Sequence, residues 1–150
     1  MPLPEFILTA NILVCERLLL EQDGIASAIR VVDIFHVGVP EKLPADSVPM
    51  IQTYAWVQLK SAPGYSGRHG VQIRLINTAG ESSVIVEQPD AAFQAKPGFE
   101  ELPRSISLVV QLNLAVKRFG TCYVCVDVDG EEVARTPFTL LKKVADATVS

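Results

Sequence analysis

Between residues 105 and 116 the chain alternates without a break: Ile106, Leu108, Val110, Leu112, Leu114 and Val116 take every even position, while Ser105, Ser107, Gln111 and Asn113 lie between them. A period of two places successive side chains on opposite faces of an extended ribbon, whereas a helix would scatter these six apolar residues around its circumference. The spacing predicts a long strand with one face in a core. Residues 50–60 repeat the rhythm, with Ile51, Ala55, Val57 and Leu59 on one face and Gln52, Tyr54, Trp56 and Gln58 on the other. Both faces of that strand are therefore expected to be partly covered. Residues 71–77 alternate Val71, Ile73 and Leu75 against Gln72 and Arg74, after a Gly-rich connection over 63–70. The two strands are expected to pair as a hairpin with a long loop, with a short edge strand over 83–87.

Near the C-terminus, Cys122, Val124, Val126 and Val128 share one side of a predicted strand, and Asp129-Gly130 supplies the positive-φ pair favoured in two-residue hairpin turns. Such a turn would oppose Val126 to Val133, yet Phe138 and Leu140 would then face away from Val133. A β-bulge near Thr136-Pro137 on an edge strand is the expected correction, because proline offers no N–H to a ladder. At the other end, Phe6, Leu8, Ala10, Ile12 and Val14 alternate as a strand would, although the leucine-rich run to Leu20 also suits a helix. Strand is favoured over 7–20, since Asp23-Gly24 marks a second turn and residues 25–39 are rich in Val and Ile. Proline-bearing stretches over 38–49 and 87–104 read as long loops. With seven to nine strands and no alternating helices, the expected fold is an all-β, antiparallel, immunoglobulin-like β-sandwich forming one domain over residues 1–150.

Composition narrows the function. Acids outnumber Lys and Arg by 17 to 13, giving a formal charge of −4, so the overall field opposes a nucleic-acid backbone and nucleic-acid binding is disfavoured. The N-terminus carries Glu5 where a secretory signal would carry a base, and the apolar stretch over 6–15 is too short to span a membrane. Three cysteines, an odd set, suit a reducing compartment, so a cytoplasmic chain with free buried thiols is expected. A charged fraction of 20% with mean hydropathy +0.29 leans toward apolar surface that a partner covers.

Two segments carry a resemblance. Residues 15–29, CERLLLEQDGIASAI, through Ile34-Phe35 resemble the opening of a family of small uncharacterised bacterial proteins. The closing run from Gly120 through Asp129-Gly130 to Leu140 is similar to the last hairpin of that family and of many immunoglobulin-like sandwiches. The resemblance implies a sandwich and brings no catalytic residue, cofactor or ligand with it.

Candidate chemistry is sparse. Cys122-Tyr123-Val124-Cys125 matches C-x-x-C, but residues three apart on a strand point to opposite faces, so no metal or redox pair is expected. His36 falls in an apolar run and reads as a half-buried, hydrogen-bonded histidine. Tyr65, Arg68 and His69 gather on the Gly-rich connection, which reads as a mobile hairpin tip or as a binding loop for an anion or sugar. It is neither a nucleophile elbow nor a phosphate loop. Asp127, Asp129, Glu131 and Glu132 crowd a hairpin tip that reads as a solvated turn rather than a calcium site. Lys117 and Arg118 are expected to lie beside Lys142 and Lys143, where lysines at strand ends discourage aggregation. Tyr54 and Trp56 are candidate interface anchors. The function expected is a non-catalytic interaction module acting through protein contacts, as a homo-oligomer or accessory subunit, with no cofactor or metal. A small-ligand module and a hydrolase using His69 and Ser66 are the alternatives.

Overall fold

A computed structural model describes residues 3–20, 26–31, 33–38, 48–93 and 97–143. Nine strands lie among them: β1 (Ile7–Leu20), β2 (Ala26–Val31), β3 (Ile34–Val37), β4 (Met50–Ser61), β5 (Gly67–Ile76), β6 (Ser82–Phe93), β7 (Ser105–Ala115), β8 (Gly120–Val128) and β9 (Glu131–Lys142). They form a four-stranded sheet ordered β2-β1-β4-β7 and a five-stranded sheet ordered β3-β9-β8-β5-β6. Among the described residues there is no helix, so the fold is all-β and the open question over 7–20 resolves as strand.

The alternation seen in the sequence is the core seen in the structure. Val110, Leu112 and Leu114 of β7 and Ala55, Val57 and Leu59 of β4 point inward from one sheet. They meet Val71 and Ile73 of β5, Val124 and Val126 of β8, and Phe138 and Leu140 of β9 from the other. Thr53 also points inward, and its hydroxyl escapes an unpaired state by donating to the Cys15 carbonyl at 2.6 Å.

Several expectations are corrected. The strands over 50–60 and 71–77 do not form a hairpin: β4 pairs with β1 and β7, β5 with β6 and β8, and the connection between them crosses from sheet to sheet. Side-chain period reports which face is buried and is silent about which strand lies alongside. The apolar run over 25–39 divides into β2 and β3, one in each sheet, and β3 lies parallel to β9, so the pairing is not wholly antiparallel. The short edge strand over 83–87 extends to the twelve residues of β6, taking up part of the expected loop. His36 is exposed, not half-buried. The loop over 39–47 and the Asp23-Gly24 turn lie outside the described residues, although Leu20 pairs with Ala26 as a hairpin requires.

The β8–β9 hairpin turns at Asp129-Gly130, with φ of 51° and 83°. Its register shift falls between Val126 and Asp127, opposite Val133, not at Thr136-Pro137. One extra residue next to the turn brings Val133, Phe138 and Leu140 to the same inward face, which is the correction the pattern demanded. β9 then runs uninterrupted through Pro137, with β8 on one side and β3 joining on the other only from Thr139 onward.

Candidate functional site

Two places hold the candidate residues. The first is the end of the sandwich where the chain leaves β4 for β5. Tyr65 sits in that connection, while Arg68 and His69 belong to β5, so the expected mobile tip is largely strand. The His69 ring is held at both nitrogens: Nδ1 lies 2.6 Å from Oδ2 of Asp129, and Nε2 lies 2.6 Å from the Tyr65 hydroxyl. A carboxylate can only accept, so Nδ1 carries the proton, and in the neutral ring Nε2 accepts the phenolic O–H. Asp129 Oδ1 also accepts from the Gly70 backbone N–H at 3.0 Å, and Gly70 returns its carbonyl to the Asp129 N–H at 2.8 Å. The His69 hydrogen bond holds the Asp129 carboxyl below the usual carboxylate range, and the Gly70 N–H adds to it.

Aromatic rings enclose the imidazole. Phe6 stacks on His69 with centroids 4.1 Å apart, and Phe93 meets it edge-on at 6.1 Å. A Cβ on Gly67 would run into the Tyr65 phenol, so glycine is required there for the ring to lie flat across the strand. Arg68 turns elsewhere, pairing with Asp90 of β6 at 2.7 Å with both side chains mostly exposed. The structure thus joins Tyr65 to His69 and leaves Arg68 outside their network. It adds Asp129, Phe6 and Phe93, which the sequence reading did not assign to this place. Asp129 stands 60 residues from His69, and its turn signal gave no sign of a second partner. Hydroxyl, imidazole and carboxylate lie in line, and they clasp the stretch from Tyr65 to His69 onto the β8–β9 turn.

The second place is the outer face of the four-stranded sheet. Leu13, Trp56 and Val109 stand side by side on β1, β4 and β7, with Cys15, Tyr54 and Gln111 forming the next row. Val109 is exposed, Trp56 is half-buried, and its indole Nε1 is covered without a hydrogen-bond partner among the described residues. Tyr54 and Trp56 are therefore together, in the other sheet from His69.

The outer face of the five-stranded sheet is of another kind. Arg74 grips Asp127 through two nitrogens, reaches Glu132 at 3.0 Å and Ser82 at 3.1 Å, and Arg135 closes on Glu132 from the far side at 2.9 Å. The acidic hairpin divides: Asp129, Gly130 and Glu131 are exposed at the turn, with Asp129 also bonded to His69, while Asp127 below them is buried against Arg74. Burial, with the neighbouring Glu132, pushes the Cys125 thiol up to about 11. Cys15, Cys122 and Cys125 are all buried and free. Among the described residues no group of His, Cys, Asp and Glu could hold a metal. A cleft of about 380 Å³ opens between the turn after β5 and the turn after β7, lined by Asn77, Thr78, Asn113, Lys117 and Arg118 among others. No helix of the described residues is long and apolar enough to cross a membrane.

A model of the "Family of unknown function (DUF6941)" matches residues 14–141. No curated protein matches the sequence. Among solved structures, the alkylpurine DNA glycosylase AlkC of Pseudomonas fluorescens, bound to DNA containing an abasic site analog, is 13% identical with a TM-score of 0.44. That likeness covers 87% of this chain and 30% of the glycosylase. A β-glucosidase of Listeria innocua in complex with isofagomine is 12% identical with a TM-score of 0.45, over 91% of this chain and 17% of the glucosidase. Likenesses of this depth carry no argument about function.

Proposed function

This chain belongs to the family of unknown function DUF6941, and we propose that it is a non-catalytic interaction module that works by binding protein through the outer face of its four-stranded sheet. The observation that carries the reading is the row Leu13-Trp56-Val109: three apolar side chains abreast on the outside of a sheet whose inside is already filled. Aromatic anchors surrounded by neutral side chains are the usual centre of a protein interface. The immunoglobulin-like character of the sandwich and a cytoplasmic location belong to the same proposal, the second supported by three free thiols.

The test is association measured by sedimentation and by pull-down with the purified chain, wild type against Trp56→Ala. The substitution is expected to weaken binding at least about tenfold while leaving the β-sheet circular dichroism unchanged. A chain that stays monomeric at high concentration and retains no specific partner would overturn the reading.

A second reading has its own observation. The His69 ring has a carboxylate on one nitrogen and a hydroxyl on the other, the arrangement a hydrolase uses to activate an oxygen, although the hydroxyl is that of Tyr65 and not of Ser66. Turnover of ester substrates that survives in Tyr65→Phe would exclude it. A small anion or sugar could instead engage the exposed Arg68, and Arg68→Ala would then abolish its thermal stabilisation.

A further inference from the structure

We infer that two copies of this chain join through β7, edge to edge and antiparallel, so that two four-stranded sheets become one sheet of eight. The inference rests on the interaction reading above and names its partner: a second copy.

The first ground is that β7 is a free edge of an unusual sort. Among the described residues it pairs with β4 alone, over eleven consecutive positions from Met50↔Ala115 to Lys60↔Ser105 without a register shift. Isolated edges are normally blunted by charge, proline, bulges or shortness, because a row of unpaired N–H and C=O groups invites another strand. Residues Ser105–Ala115 contain no charged residue, no proline and no glycine. Eleven residues at about 3.4 Å each present an unguarded edge of roughly 37 Å.

The second ground is that the strand complements itself. In an antiparallel pair about a two-fold axis through Val110, Leu108 meets Leu112 of the partner subunit, and Ile106 meets the partner's Leu114. Every such pair joins inward-facing side chains, because the period of two keeps like parity on one face. On the outer face Val109 meets Gln111 of the partner subunit. The Trp56-Val109 row of one copy then continues into the Gln111-Tyr54 row of the other, and the two-fold axis repeats the contact. No like charges are brought opposite one another, since β4 and β7 together hold a single charged side chain, Lys60, at the strand end.

The contrast with β6 supplies the third ground. β6 ends the other sheet on the same side of the sandwich, and it carries Glu87, Pro89 and Asp90 together with two register shifts against β5. One edge carries charge, proline and bulges, and its neighbour carries none of the three. An edge left bare beside a guarded one is what a specific strand-pairing site requires.

The test combines sedimentation with crosslinking of the full chain. Wild type is expected to sediment as a dimer and V109K as a monomer, because the substitution places two ammonium groups beside the two-fold axis. Val109 is exposed, so the fold should survive, and an unchanged β-sheet circular dichroism of V109K checks this. V109C mixed with Q111C should form a disulfide-linked dimer under mild oxidation, since opposite residues stand about 4.5–5.5 Å apart, within disulfide reach. The native thiols are buried and do not compete. A monomeric wild type overturns the inference and leaves an extended segment of another protein as the occupant. A dimer that Trp56→Ala dissociates, but that V109K and the cysteine pair do not touch, overturns strand pairing while sustaining the interaction reading.

Discussion

The two sheets follow one rhythm on their inner faces and two different rules on their outer ones. The five-stranded sheet finishes itself: Arg74, Asp127, Glu132 and Arg135 interlock across β5, β8 and β9, and its edge at β6 bears acids, a proline and bulges. The four-stranded sheet turns Tyr54, Trp56 and Val109 outward, with Arg17 and Lys60 toward the strand ends, and has a regular edge at β7. The inner faces must bury apolar side chains and so converge on the same solution. The outer faces are free to differ, and the difference separates a sheet closed by its own charges from one that a neighbour completes.

The largest effect should come from breaking the closed side. Arg74→Ala strips Asp127, only 6% exposed, and Glu132 of their shared cation, and should cost on the order of 3 kcal/mol in urea unfolding. Val109→Lys on the open side should change monomer stability by no more than about 0.5 kcal/mol. Equal losses would erase the distinction.

Removing the guards from β6 tests the comparison from the other direction. Glu87→Val together with Pro89→Val should give that edge the pairing habit inferred for β7, seen as increased light scattering on mild heating. No rise in scattering would show that Asp90 and the bulges suffice to protect it.

A smaller effect is expected at the His69 clasp, which ties the start of β5 to the β8–β9 turn. Asp129→Asn keeps a residue that tolerates the positive φ of the turn and removes the charge facing His69. With Asp129 half exposed, the loss should be about 0.5–1 kcal/mol. Because the folded Asp129 carboxyl lies below its ordinary value of 3.8, its contribution is complete above that value and disappears as pH falls through the lower folded one. The variant should therefore lose stability at neutral pH and show a shallower acid limb in thermal melts.

The smallest signal is thiol labelling. All three cysteines should resist alkylation at neutral pH, with burial raising each thiol. Cys15, in the sheet without the ionic lattice, should label before Cys122 and Cys125 when the chain opens. Simultaneous labelling would mean that the sheets open as one.

Much of this was legible along the chain wherever the determinant is local. The alternation over 105–116 foretold β7 and its buried face, and Asp129-Gly130 foretold the last turn, because both depend on neighbours within a few residues. The bulge was required by the facing of Val133, Phe138 and Leu140, yet its position was not, since any residue between them would restore the parity. Tyr54 and Trp56 announced an aromatic outer face. The guards on β6 and their lack on β7 were present as letters, but they acquire meaning only once both strands are known to be edges.

Strand identity, inward faces and turn chemistry were determined by the sequence itself, since a backbone of period two and a positive-φ turn are imposed by the residues that occupy them. Tertiary structure alone decided which strands are neighbours, which edges are free and which distant groups meet. Asp129 found His69, and Arg74 found Asp127, across more than fifty residues each. Pairing of that range is set by β5 lying alongside β8 in one sheet, and no local pattern records which strands become neighbours.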